Sequence, residues 1–177
     1  MKSLMLIFVF VAAFCHAEEN EAIMPEWTKL LGRSEKVEAI LLKDNGSKGL
    51  IERTERKLVI ESDIEKFRVL FQTRTNWIVE HDGCEPQFAA RLVLYLKSIG
   101  KQKELETLTV DICFTCNHVS AKMDEKSFGY KKFKPSRFEI LALFRKIFPE
   151  DKIIEAVQKR AVEHERERDR LINASPC

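Results

Sequence analysis

Residues 88–97 alternate strictly: Phe88, Ala90, Leu92, Leu94 and Leu96 fall on one side, and Ala89, Arg91, Val93, Tyr95 and Lys97 on the other. Side chains of an extended chain point to opposite faces in turn, so a period of two marks a strand with one buried face. After Gly100-Lys101-Gln102-Lys103, which reads as a turn, Leu108, Val110, Ile112 and Phe114 alternate with Thr109, Asp111 and Thr115. Two such runs joined by a short polar connection form an antiparallel hairpin. A third, shorter strand over Val119 to Met123 completes a meander, and the remaining elements must cover that sheet.

The flanking segments supply the cover. Pro25 to Leu31 reads as a short helix stopped by Gly32, with Trp27 and Leu31 docking it on the core. Lys36 to Lys43 reads as a strand, and Asp44-Asn45-Gly46-Ser47-Lys48-Gly49 as a turn, because Asn and Gly tolerate the left-handed backbone of tight connections. The chain then returns through Leu50 to Ser62, with Leu58 and Ile60 on one face. Ser62-Asp63-Ile64-Glu65 has the form of a capping box. It opens a helix to Asn76 in which Ile64, Phe67, Leu70, Phe71, Arg74 and Trp77 recur at three- and four-residue steps. His81-Asp82-Gly83-Cys84-Glu85-Pro86 breaks regular structure. Pro135-Ser136-Arg137-Phe138-Glu139 is a second capping box, heading a helix with Phe138, Leu141, Phe144, Ile147 and Phe148 on one face, and Pro149 ends it. A last helix starts at Glu150-Asp151, on the side of the helix dipole that favours acid. Its apolar stripe stops at Val162, and Glu/Arg pairs three apart make residues 163–177 a charged helix and tail. Strands bracketed by helices give one α+β domain, an antiparallel β-meander packed against helices over residues 18–162.

The N-terminus reads as a cleavable secretion signal over residues 1–17. Lys2 is positive, Leu4 to Ala13 is unbroken and apolar, and Cys15-His16-Ala17 places small residues where a signal peptidase reads. The apolar run falls short of the roughly 20 residues a spanning helix needs, so no membrane span is expected. Bulky Phe14 favours simple cleavage over a lipid anchor at Cys15. The expected location is therefore outside the reducing cytoplasm, periplasmic or extracellular. Of 30 basic residues Lys2 leaves with the signal, so 29 face 28 acidic ones, and no global field favours nucleic acid.

Export makes the cysteines informative. Cys84, Cys113, Cys116 and Cys177 remain after cleavage, and four cysteines allow three pairings that sequence cannot choose between. Cys84 precedes one hairpin strand and Cys113 ends its partner, so antiparallel pairing brings Cys84 near Cys113 or Cys116. Cys113 and Cys116 can meet only if the strand turns at Phe114-Thr115. Three readings follow. A disulfide among Cys84, Cys113 and Cys116 staples the sheet edge. Alternatively His81, Cys84, Cys113 and Cys116 ligate zinc, with His118 as a substitute ligand, at the short spacings tetrahedral zinc prefers. The third is a redox-active C-x-x-C, which needs a thiolate at a helix N-terminus.

Gly83-Cys84-x-Pro86 followed by Ile112-Cys113-Phe114-x-Cys116 resembles small exported bacterial proteins that carry a G-C-x-P segment and an I-C-F-x-C segment. The resemblance covers residues 83–116 and implies that the three cysteines act as one unit. The sequence holds no G-x-S-x-G elbow, phosphate-binding glycine loop, H-E-x-x-H pair or dinucleotide fingerprint. The chain thus reads as a noncatalytic interaction or structural domain without a cofactor, meeting a protein or small-molecule partner. The alternative is a zinc-binding or thiol-redox protein using Cys84, Cys113 and Cys116.

Overall fold

The computed structural model describes residues 24–45, 49–78, 89–97, 106–115, 117–133 and 137–174. The expected secretion signal with Cys15, the His81–Pro86 segment, the expected turn at Gly100–Lys103 and the expected cap at Pro135-Ser136 lie outside these residues. A 3₁₀ turn over Glu26–Arg33 leads into β1 (Ser34–Asp44), β2 (Leu50–Glu52), β3 (Lys57–Leu58) and helix α1 (Glu61–Gln72). A short 3₁₀ turn, Arg74–Asn76, delivers β4 (Trp77–Ile78). The meander is β5 (Ala90–Leu96), β6 (Glu106–Cys113), β7 (His118–Met123) and β8 (Lys126–Phe133), followed by α2 (Arg137–Ile147) and α3 (Lys152–Ala174). The fold is α+β, with one antiparallel sheet in the order β2-β1-β5-β6-β7-β8-β4 and β3 also paired to β1.

The alternation seen in the sequence sets the register. Val110 lies opposite Leu92 on β5 and opposite Ala121 on β7, and Leu92 lies opposite Ala39 on β1. These residues share one face, and all are buried in a single cluster with Trp27, Phe67, Phe71, Ile140 and Phe144 from the helical layer. The main core is therefore one sheet face sealed by helices, and a smaller cluster of Ile40, Leu42 and Val93 is buried on the other face. Aromatic rings join its parts: Trp27 meets Phe71 at 5.3 Å and Trp77 at 5.8 Å, edge to face. Phe144 meets Phe67 at 5.6 Å and Phe114 at 5.9 Å. Trp77 Nε1 donates to the Phe71 carbonyl at 2.9 Å, which fixes β4 against the end of α1.

Several local expectations change. The run from Leu50 to Ser62 is not one strand but the short β2 and β3. Leu58 and Ile60, expected on one face, are both exposed, and Val59 is buried between them. The Val59 amide donates to the Val37 carbonyl at 2.9 Å, so the backbone turns that side chain inward. Helix α1 starts at Glu61 with Ile60 at its N-cap and no side-chain cap, so Ser62 lies inside the helix instead of capping it. The helix ends at Gln72, where Thr73 is extended, so Trp77 reaches the core from a strand. Gly32 does not stop the first turn, which continues to Arg33. The third meander strand is present as β7, and β8 beside it was not foreseen.

Polar clasps hold the β2–β3 segment to the helices. Arg53 grips the Asp151 carboxylate, with Nη2 to Oδ1 at 3.0 Å. Asp151 Oδ1 accepts the Ile153 and Ile154 amides, capping α3 where the acidic start was expected. Lys57 Nζ donates to the Ile147 carbonyl at 3.1 Å, at the end of α2.

Phe144 is fully buried between Phe67 and Phe114. Phe144→Ala should cost about 3–5 kcal/mol, because the site loses both transfer free energy and packing. The check is urea unfolding, in which the midpoint should fall at unchanged slope.

Candidate functional site

The cysteine segment resolves around one tight turn. Strand β6 ends at Cys113, the chain turns at Phe114-Thr115, and His118 begins β7. The strand therefore turns where Cys113 and Cys116 would need it to. Asn117 completes the loop at φ 56°, a left-handed conformation that Asn tolerates better than most residues. Its carbonyl accepts the Phe133 amide at 2.8 Å, tying the turn to β8. Phe114 anchors the other side, buried against Phe144.

Register then sets the neighbours of the thiol. Cys113 lies directly opposite His118, His118 opposite Lys132, and Lys132 opposite Ile78. Opposed residues share a face with Cβ atoms roughly 4.5–5.5 Å apart. Their chain neighbours Ile112, Val119 and Phe133 fill the core, so this row occupies the sheet face turned away from the helices. Cys113 is 0% exposed and its thiol forms no disulfide. Cys84, Cys116, Cys177 and His81 lie outside the described residues, so of the four expected ligands only Cys113 is placed. His118, the substitute ligand, is its direct cross-strand neighbour. Among the described residues no group of three or more His, Cys, Asp or Glu could hold a metal ion. Cys113 and His118 thus place one thiol and one imidazole at opposed positions of β6 and β7, two donors where a tetrahedral zinc site needs four.

The same face carries an ionic lattice. Arg91 grips Asp111 through two hydrogen bonds, 2.6 and 2.9 Å, between directly opposed positions of β5 and β6. The Asp111 hydrogen bonds raise the Arg91 pKa. Tyr95 Oη donates to Glu38 at 2.8 Å, and Lys36 Nζ meets the other Glu38 oxygen at 2.6 Å. Hydrogen bonding from Lys36, then from Tyr95, holds the Glu38 carboxyl below its ordinary range. Each carboxylate here faces a cation or a hydroxyl, an arrangement that fixes strands and leaves no charge aimed at a ligand.

A second site was not foreseen. Helices α1 and α2 leave between them an open groove of about 510 Å³, floored by Val69, Leu70, Ala142 and Leu143. Val69 is 55% exposed, although it stands among apolar neighbours. At one end Asp63, only 2% exposed, accepts hydrogen bonds from Lys146 at 2.6 and 2.8 Å and from Lys66 at 3.4 Å. Both lysine side chains remain more than half exposed and line the groove. Glu139, at the start of α2, lines it too. The available sequence signal was Val69 itself, an aliphatic residue off the α1 stripe of Ile64, Phe67 and Phe71. No known family, curated protein or solved structure matches this chain.

Two predictions arise. A fully buried thiol reacts slowly because reagent and base cannot reach it. In native protein, Cys113 should resist iodoacetamide until denaturant is added, as peptide mapping by mass spectrometry can read. The second concerns acid. Lys146 above all holds the Asp63 carboxyl below its ordinary range, and Arg53 does the same for Asp151. A carboxyl depressed in the folded state adds stability that is present above the unfolded value and lost as pH falls through the folded one. Stability should therefore fall below about pH 4, near the ordinary aspartate range. Asp63→Asn should be about 1–2 kcal/mol less stable at pH 7, allowing for the solvent that screens Lys146. The variant should also lose less between pH 4 and 2 in urea melts.

Proposed function

We propose that this chain is an exported, noncatalytic interaction domain that offers the α1–α2 groove to a partner outside the reducing cytoplasm. The observation that carries the reading is the groove itself: an apolar floor with a half-exposed valine, rimmed by charged side chains. An exposed apolar concavity with a polar rim is the common form of a recognition site. The secretion signal over residues 1–17 supports an exported location, and no helix among the described residues is long and apolar enough to cross a membrane.

The test places a photo-crosslinking amino acid at position 69 or, as a control, at exposed position 155. A discrete adduct should form from position 69 alone in the exporting cells. Ala142→Asp, at an exposed position across the groove, should abolish it with little loss of melting temperature. Equal labelling from both positions, or none from position 69, overturns the reading.

A second reading, a zinc-binding or thiol-redox protein using Cys84, Cys113 and Cys116, draws support from the turn at Phe114-Thr115 and from His118 opposite Cys113. Intact mass without reductant, native and then denatured, separates its forms. A zinc adduct lost on denaturation marks the metal site, loss of two hydrogens marks a disulfide, and neighbouring free thiols mark redox chemistry.

A further inference from the structure

The groove has a length, a polarity and a floor, and together they restrict what can lie in it. Lys146 near the end of α2 bonds Asp63 at the start of α1, while the ring of Phe67 meets Phe144 one turn further along. The two helices therefore run antiparallel beside the groove. Its α1 wall, Ser62 to Leu70, spans about 12 Å at the helical rise of 1.5 Å per residue. That is a little over two turns, the reach of apolar anchors at i, i+3, i+4 and i+7 on one helix. Ser62, Lys66 and Lys146 mark one end, and Glu139 with Leu70 marks the other. Two lysines share the single Asp63 carboxylate, and Glu65, which lines the same end, is paired with Arg68, so that end keeps one positive charge in excess, while the Glu139 carboxylate stands at the far end.

Helices already favour acidic residues in the first turn and basic residues in the last, because of their own dipole. Such a helix complements the groove in one direction only. We infer that the groove takes one amphipathic helix of a partner protein, its acidic first turn over Lys66 and Lys146 and its basic last turn over Glu139, so that it runs antiparallel to α2. This rests on the interaction-domain reading and adds the partner's secondary structure, charge pattern and direction. The apolar stripe of the incoming helix buries Val69 and Ala142, both exposed in the free chain, which gives affinity, and the charges at the two ends give orientation.

The test uses two labelled peptides of about 14 residues with the same leucine stripe at i, i+3, i+4 and i+7. One has an acidic first turn and a basic last turn, and the other has these reversed. Fluorescence anisotropy with the full chain at low salt should show the first binding at least about fivefold more tightly, the size expected of exposed ion pairs at both ends. The preference should shrink as salt screens it. Glu139→Lys, at an exposed position, should weaken the first peptide and strengthen the reversed one. Val69→Asp should weaken both about tenfold at an unchanged melting temperature. Equal affinity for the two peptides, or no response to Glu139→Lys, overturns the inference. If both peptides fail while crosslinking from position 69 persists, the helical occupant is wrong and the interaction reading stands. If crosslinking is also absent, both fall.

Discussion

The architecture depends on a continuous contact of aromatic rings beneath the sheet. Trp77, Trp27, Phe71, Phe67, Phe144 and Phe114 touch in that order. They come from β4, the first 3₁₀ turn, α1, α2 and the β6–β7 turn, so one train of edge-to-face and stacked contacts links segments far apart in sequence. Such pairs add roughly 0.5–1.5 kcal/mol each beyond their buried area, and they prefer defined geometries. Helices joined in this way cannot slide along the sheet without breaking ring contacts at both ends. The groove on the outer surface of α1 and α2 inherits that fixity, because Phe67 and Phe144 lock the same two helices from below. So does the cysteine turn, whose Phe114 closes the train.

Much of the sheet was legible because its strands bury one face. Leu92, Leu94 and Leu96 are buried on one face while Arg91 and Tyr95 stay half-buried on the other, and period two marks a strand. Strand β8 escaped for the opposite reason. Phe128 and Tyr130 alternate with Ser127, Gly129 and Lys131, but Lys132 takes the next apolar place and Phe133 falls out of step, so the pattern is too short to mark a strand, which pairs along β7. Lys132, buried on the face away from the helices, shows how far tertiary pairing overrides composition. Ser62 misled in another way. A capping box is a local pattern; the helix begins at Glu61, one residue before Ser62, and Asp63 in its first turn bonds Lys146 from a different helix.

The candidate sites divide along the same line. An approach of Cys113 to Cys116 requires a turn at two named residues, a local question that sequence can pose; the turn is present, and Cys116 itself lies outside the described residues. The partnership of Cys113 with His118 follows once β6 and β7 are paired, and His118 had been singled out by its nearness in sequence. The groove could not be read in advance. Val69 and Leu143 are ordinary helical residues until the ring contacts bring α1 and α2 side by side, and the charge at its ends arises from Asp63 meeting lysines of two helices.

The strand order has a consequence for life among other chains. The borders of the sheet are β2, three residues long, and β4, only two, while the long β5 and β6 are enclosed on both sides. An unpaired edge is a template for foreign strands, and brevity is one of the ways proteins blunt it. Among the described residues β4 covers only Lys132 and Phe133 of β8, and the rest of that margin carries Lys126 and Lys131, charges that discourage pairing with foreign strands. Encounters with neighbouring molecules are left to side-chain surfaces, where recognition can be selective and reversible.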